Sequence, residues 1–185
     1  MKKIILASGS PRRRQLLKHA GLDFEVHPSD YEEELDNNIF TNEKIEKLAY
    51  NKAIDVADKY SEGIIIGADT VVVLDNKILT KPQDRADAFV MLKSLSGVEH
   101  HVVTGICVID KYTGETKIKH VTTTVEFENL TDDMINYYID NFKPFDKAGA
   151  YGIQELPKGY VKSVNGSFEN VIGLCTNTVI QMLNE

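Results

Sequence analysis

Tryptophan is absent, cysteine occurs only twice, proline only five times, and the 21 lysines and arginines are outnumbered by 28 aspartates and glutamates. Each shortage excludes something. Two cysteines, Cys107 and Cys175, cannot build a disulfide framework, and their separation is not that of a zinc site. They are expected to be buried, reduced thiols. A net charge of −7 argues against nonspecific binding to DNA or RNA, which needs a basic face. Long apolar runs are missing too. After MKK comes only IILA, too short for a signal peptide or a membrane span, so a cytoplasmic protein without a membrane partner is expected. No repeat, low-complexity tract or Pro/Gly/Ser linker interrupts the chain. A single domain, 1–185, is therefore expected, long enough to bury roughly 70% of its unfolded surface. No Walker A loop, G-x-G-x-x-G fingerprint or G-x-S-x-G elbow is present.

What is there alternates between helical and extended patterns. A short apolar run at 4–7 and the segment 24–27 read as strands, with a helix between them that starts at Ser10-Pro11 and stops at Gly21. A helix is expected from Thr41 to about Tyr60. The run EGIIIGADTVVVLD at 62–75 is too apolar for an exposed strand, and Asp75-Asn76-Lys77 turns into a return strand that ends at Thr80. Ala88, Phe89, Leu92 and Leu95 mark one face of another helix. Residues 101–109 and 117–127 read as a strand pair around the YTGE turn, and Thr131 caps a helix running to about Phe142. KPFDKAGAYGIQ is loop-like. Residues 161–164 and 168–172 read as a hairpin around Asn165-Gly166, followed by a last helix at about 176–183. Helices and strands alternate but hairpins interrupt them, which implies an α/β or α+β fold with a mixed β-sheet.

Several residues break the local pattern. Arg12, Arg13 and Arg14 fill the first turn of a helix whose N-terminus already carries about half a positive charge. That makes sense if a phosphate binds there, gripped by backbone N–H groups and guanidinium forks; the alternative is that they splay into water. Lys52 lies in the apolar stripe of Ile45, Leu48, Ala49 and Val56, where an unpaired ammonium is costly; it is either a functional cation or a snorkelling or salt-bridged one. Asp69 lies in IIIGADTVVV with apolar residues on both sides, and needs a metal, a cation or several donors to stay ionised. Thr70 beside it offers a hydroxyl, while Gly67 and Ala68 would leave room for a ligand. Glu32, Glu33 and Glu34 are either a solvated run or a source of a second oxygen ligand for Mg²⁺, which is often held by one or two carboxylates and phosphate oxygens. Lys81 is an exposed lysine or a phosphate contact, and Gln154 an exposed amide or a reader of a base edge. The histidines have no ligand spacing, and none is assigned to catalysis. Cations together with carboxylates suggest a phosphate ester or anhydride and a divalent metal.

The segments ILASGSPRRRQLL, AYNKA, IIGADTVV, LTKPQD, LSGVEHHVVTG, DKAGAYGIQ and NVIGL follow one another over nearly the whole chain. In these the sequence resembles the Maf family of nucleoside triphosphate pyrophosphatases. The resemblance implies cleavage of nucleoside triphosphates to the monophosphate and pyrophosphate with Mg²⁺ or Mn²⁺. It implies a mixed sheet flanked by helices, two lobes around a central cleft as in inosine triphosphatases, and a homodimer. It makes Asp69 the catalytic proton acceptor. Arg12, Thr70 and Gln154 become base-selecting residues of the branch acting on dTTP and UTP, and Ser8, Arg13, Lys52 and Lys81 phosphate contacts. Glu33 becomes an acidic group that helps hold the metal, together with Asp69, or activates water. Cys175, Thr80 and Val98 depart from the family pattern, where GLP, a glycine before the lysine, and an arginine after SG are common. A rival reading is a nucleotide-binding regulator of septum formation with little turnover.

Overall fold

A computed structural model describes residues 2–31 and 38–185. The chain runs β1 (Ile4–Leu6), α1 (Pro11–His19), β2 (Glu25–Val26), α2 (Asn42–Ala57), β3 (Ile64–Leu74), β4 (Lys77–Leu79), α3 (Arg85–Leu95), β5 (Glu99–Asp110), β6 (Glu115–Phe127), α4 (Asp132–Phe142), a 3₁₀ turn (Ala148–Ala150), β7 (Val161–Asn165), α5 (Phe168–Ile172) and α6 (Thr176–Asn184). The caps explain several boundaries. The Ser10, Thr41 and Thr131 hydroxyls accept from the backbone N–H groups of Arg13, Lys44 and Met134 at 3.4, 3.2 and 3.3 Å, satisfying donors that the first turn leaves unpaired.

The strands form one mixed sheet in the order β2-β1-β3-β5-β6-β7, with β4 added to β3. β1 is parallel to β2 and β3; every other pairing is antiparallel. The mixed sheet is thus the one that the alternating pattern implies, and the helices flank it as the resemblance implies. β5 covers one edge of β3 from Ile64 to Val73. The other edge is divided. β1 covers Ile64 to Ile66 and β4 covers Val72 to Leu74, and neither covers residues 67–71 between them. Asp69 and Thr70 sit in that gap.

Apolar side chains pack both faces. Leu6, Leu17, Ile66, Ile106 and Val179 form a core under α1 and α6. Ile5, Ala49, Ala53, Val56 and Ile65 form one under α2. Leu92, Leu95, Val102, Phe127, Tyr138 and Tyr151 form a third beneath α3 and α4. Cys107 and Cys175 are buried and not disulfide-bonded, as expected. Among the described residues no helix is long and apolar enough to cross a membrane.

One element differs from the sequence reading: residues 168–172 form α5 rather than the second strand of a hairpin. A short run such as FENVI fits either period. Capping and packing decide it. The Ser167 hydroxyl accepts from the Asn170 N–H at 3.2 Å, and the fully buried Asn170 amide donates to Val102 O and Val121 O at 3.0 and 3.1 Å. α5 is thereby anchored across β5 and β6, and its C-terminal residues face the gap in β3.

Candidate active site

Side chains alternate along β3, so Asp69 shares a sheet face with Gly67 and Val71, while Thr70 points the other way with Ala68 and Val72. α2 lies close against the Asp69 face because glycine stands where any side chain would collide. A Cβ on Gly67 would meet Ala49 O at 2.4 Å and Ala53 Cβ at 2.7 Å, and one on Gly105 would meet Ile45 O at 2.3 Å. This close packing brings Lys52 onto Asp69, and the ammonium donates to Asp69 Oδ1. Their side chains are only 14% and 9% exposed. The two residues that break their local patterns therefore answer each other: each supplies the opposite charge that the other's burial requires. The space expected beside Gly67 and Ala68 does not serve a ligand. α2 fills it at Gly67, and Ala68 packs in the core with Leu6 and Leu17.

The other face of β3 carries a hydrogen-bonded frame. Arg13 is buried. Its Nε donates to Gly173 O at 2.9 Å, Nη1 to Ser8 Oγ at 3.1 Å and Nη2 to Thr70 Oγ1 at 2.9 Å. The Thr70 hydroxyl also donates to Gly173 O at 3.1 Å and lies 2.9 Å from Thr104 Oγ1. Arg13 thus ties the start of α1, the middle of β3 and the residue after α5 into one wall. The arginine triplet divides into three roles. Arg13 belongs to this wall, Arg12 Nη1 lies 3.6 Å from Asp146 Oδ2, and Arg14 is exposed.

These groups line a cleft of about 690 Å³, within the range of roughly 300–1,000 Å³ common for small-molecule sites. Ser8, Arg12, Arg13, Lys52, Asp69, Thr70, Lys81 and Gln154, all singled out in the sequence, line this one cleft. Lys81, just after β4, and Gln154 are exposed, and Lys81 has no ion-pair partner among the described residues. Glu33 lies outside the described residues. Among those described, no three acidic, histidine or cysteine side chains are grouped to cage a metal.

Sequence reasoning missed Asp146, Lys147, Tyr151 and Glu155, which line the far end of the cleft. Lys147 is buried, with its Nζ 2.8 Å from Asp146 Oδ1 and 3.3 Å from Glu155 Oε2. Burial works to raise the Asp146 carboxyl, but the Lys147 hydrogen bond and charge outweigh it and hold Asp146 below its ordinary value. The signal in the sequence was a charged pair inside the small, apolar stretch PFDKAGAYG. Behind Tyr151 is His100, whose Nε2 lies 2.7 Å from the Tyr151 hydroxyl. Burial pushes His100 from 6.5 down to about 4 and pushes the Tyr151 hydroxyl up. Among the described residues that line the cleft there is no histidine.

Related proteins resemble the whole chain. A "dTTP/UTP pyrophosphatase" of Ruminiclostridium cellulolyticum is 47% identical over 100% of this chain and 96% of its own. One of Desulforamulus reducens is 48% identical over 94% and 91%, and one of Thermosipho africanus 46% identical over 98% and 92%. Among solved structures, a nucleoside-triphosphatase described as a dITP/XTP pyrophosphatase, from Mycobacterium abscessus, aligns with 69% of this chain and 75% of its own at a TM-score of 0.49 and 17% identity, too slight a likeness to carry an argument. Residues 3–185 match the family described as Maf-like protein, and the chain belongs to the Maf family.

Proposed function

We propose that this protein hydrolyses nucleoside triphosphates, dTTP and UTP foremost, to the monophosphate and pyrophosphate. The observation that carries the reading is the Lys52–Asp69 pair, mostly buried at the break in the edge of β3 and lining a cleft with Arg12 and Lys81 on its walls. A triphosphate needs cations without a rigid cage, and Lys81 is exposed and without an ion pair among the described residues. The relatives named above are called dTTP/UTP pyrophosphatases, and the base preference rests on them together with Arg12, Thr70 and Gln154. Thr70 contributes by holding the Gly173 carbonyl and the Arg13 guanidinium, which engage its hydroxyl.

In this reading Asp69 takes the proton of a water as its oxygen attacks the α-phosphorus. The bond from that phosphorus to the α–β bridging oxygen breaks, and pyrophosphate leaves with the bond's electrons. Lys52 balances the Asp69 charge before proton transfer and orients the carboxylate. A divalent ion fits the donor set: a carboxylate at the cleft wall is a hard oxygen ligand, and Mg²⁺ commonly keeps waters and phosphate oxygens for its other positions. Asp69 would hold it, with Glu33 as a second candidate, and the ion would supply charge stabilisation on the phosphate chain.

The test is pyrophosphate release from a panel of nucleoside triphosphates with Mg²⁺ or Mn²⁺, and with a chelator. Metal-dependent release favouring dTTP and UTP is the expected outcome. Release from purine nucleotides only would overturn the base preference; binding of triphosphates with no release from any would overturn the enzymatic reading.

A further inference from the structure

The charged group at the far end of the cleft has a construction that the proposed chemistry leaves unexplained. Lys147 is 9% exposed, yet its two carboxylate partners, Asp146 and Glu155, are 65% and 41% exposed. A lysine whose stem is buried for the sake of two half-solvated carboxylates is a poor way to gain stability. Well-packed apolar residues at such sites commonly do as well or better. The ammonium has another property that an apolar side chain lacks: it can bind two carboxylates at once at fixed distances.

The two carboxylates lie at opposite ends of one loop. Asp146 precedes Lys147, and Glu155 follows Gln154. Between them the backbone turns sharply through Gly149 and Ala150, both at positive φ (67° and 60°). The Ala150 N–H bonds back to Lys147 O at 3.1 Å, and the Glu155 N–H to Gly152 O at 2.9 Å. The Lys147 stem runs along Gly152 so closely that a Cβ there would stand 2.9 Å from Lys147 Cε and 3.2 Å from Glu155 Oε2. Tyr138, on α4, holds the same point, its hydroxyl accepting from the Gly152 N–H at 3.0 Å. Lys147 is therefore a crosslink that closes residues 147–155 into a ring, with Gln154 beside its last link. On the other side Asp146 reaches Arg12 at the start of α1. Arg12 and Gln154, which come from elements far apart in sequence, are connected through Asp146, Lys147 and Glu155.

We propose that Lys147 is a positioning residue for nucleobase selection: by binding Asp146 and Glu155 together it sets the placement of Gln154 relative to Arg12 across the cleft. This rests on the pyrophosphatase reading above. The bond-breaking groups, Lys52 and Asp69, stand on α2 and β3, outside this ring. Loosening the ring should weaken recognition of the base and leave the chemical step nearly intact. The charge balance agrees: two carboxylates against Lys147 and Arg12 leave this end near neutral, suited to an uncharged base rather than to phosphate.

The experiment compares Lys147→Met, which keeps the length of the stem and removes the ammonium, with Lys147→Arg, which restores a cation able to span both carboxylates. Steady-state pyrophosphate release is measured with dTTP, UTP, CTP and GTP. In Lys147→Met, KM for dTTP should rise about tenfold, and the preference for dTTP over CTP and GTP should fall by about the same factor, a usual scale for lost pocket contacts. The kcat for dTTP should stay within about threefold, since an interaction made equally in ground and transition states changes KM alone. Lys147→Arg should recover at least half of the lost preference. A merely structural lysine would lower the active fraction for all substrates alike and leave the preference unchanged; that result overturns the proposal, as does wild-type KM in Lys147→Met. If Lys147→Met does not fold, Glu155→Ala, at an exposed carboxylate, cuts the same link and must show the same loss of preference. Wild-type protein that releases no pyrophosphate from any triphosphate would remove the functional reading itself. Wild-type turnover combined with an unaltered preference in the variants would remove only the role of Lys147.

Discussion

The two ends of the cleft solve the problem of holding charge in opposite ways. At one end Lys52 and Asp69 stand on regular elements, a sixteen-residue helix and an eleven-residue strand, pressed together because Gly67 and Gly105 have no side chains. Their positions follow from a rigid helix–sheet interface. At the other end Asp146, Lys147 and Glu155 stand on a loop with no regular element longer than one 3₁₀ turn, and their positions follow from bonds that the charges make with one another. The first arrangement suits chemistry, where displacement by an ångström is costly. The second suits recognition, where a loop that can be re-shaped carries selectivity on a fixed scaffold. In the proposed reading, one cleft keeps reaction and selection on separate structural supports.

Variants can break that comparison. The largest effect is expected from Asp69→Asn: kcat for pyrophosphate release should fall at least about a hundredfold, the scale of a lost general base, while the circular dichroism spectrum stays that of the native fold. Near-native turnover would remove Asp69 from the reaction. Lys52→Met comes next. It leaves the Asp69 carboxylate buried without its ammonium and should cost on the order of 3 kcal/mol in urea unfolding. The double variant Lys52→Met/Asp69→Asn should regain most of that loss, because no uncompensated charge remains. Additive losses in this cycle would show that the pair does not act as a unit.

At the far end the effects should be of another kind. His100, under Tyr151, lies buried and neutral with its pKa lowered from 6.5 to about 4. Above pH 6.5 it is neutral folded and unfolded, and contributes no pH dependence. Between about 6.5 and 4 the unfolded chain binds a proton that the folded protein refuses, so stability falls as pH falls, by up to about 1.4 kcal/mol per pH unit. Unfolding curves for His100→Gln should lack that part of the acid slope; an unchanged slope would assign it to other groups. Gln154→Ala, at an exposed side chain, should shift the preference among bases about tenfold while changing stability by no more than about 0.5 kcal/mol. The smallest effect is expected from Arg14→Ala, with stability and kcat/KM both near wild type. A large loss of activity there would show that the triplet acts together, rather than dividing its members among a wall, a latch and the solvent.

Most of the elements were legible in the sequence and so, through its irregularities, was the end of the cleft that holds Lys52 and Asp69. Ser10, Thr41 and Thr131 announce helix starts because a capping hydroxyl satisfies backbone donors within three residues. Lys52 and Asp69 stand out because a charge in an apolar pattern needs a partner, and that need is visible before the partner is. The tertiary structure alone decided which partner each found. Gly67 and Ala68 read as space for a ligand, and only the approach of α2 showed that a helix takes that space at Gly67. Residues 168–172 fit two periods, and α5 formed because Asn170 could reach carbonyls on β5 and β6, more than 45 residues away in the chain. The arginine triplet was a single feature in sequence and became three environments once Gly173, Thr70 and Asp146 came into range. Lys147 was least legible, since a lysine in a loop is ordinarily solvated. Its burial depends on Gly152 and Glu155 folding back over it, an arrangement set by long-range packing and charge rather than by any local pattern.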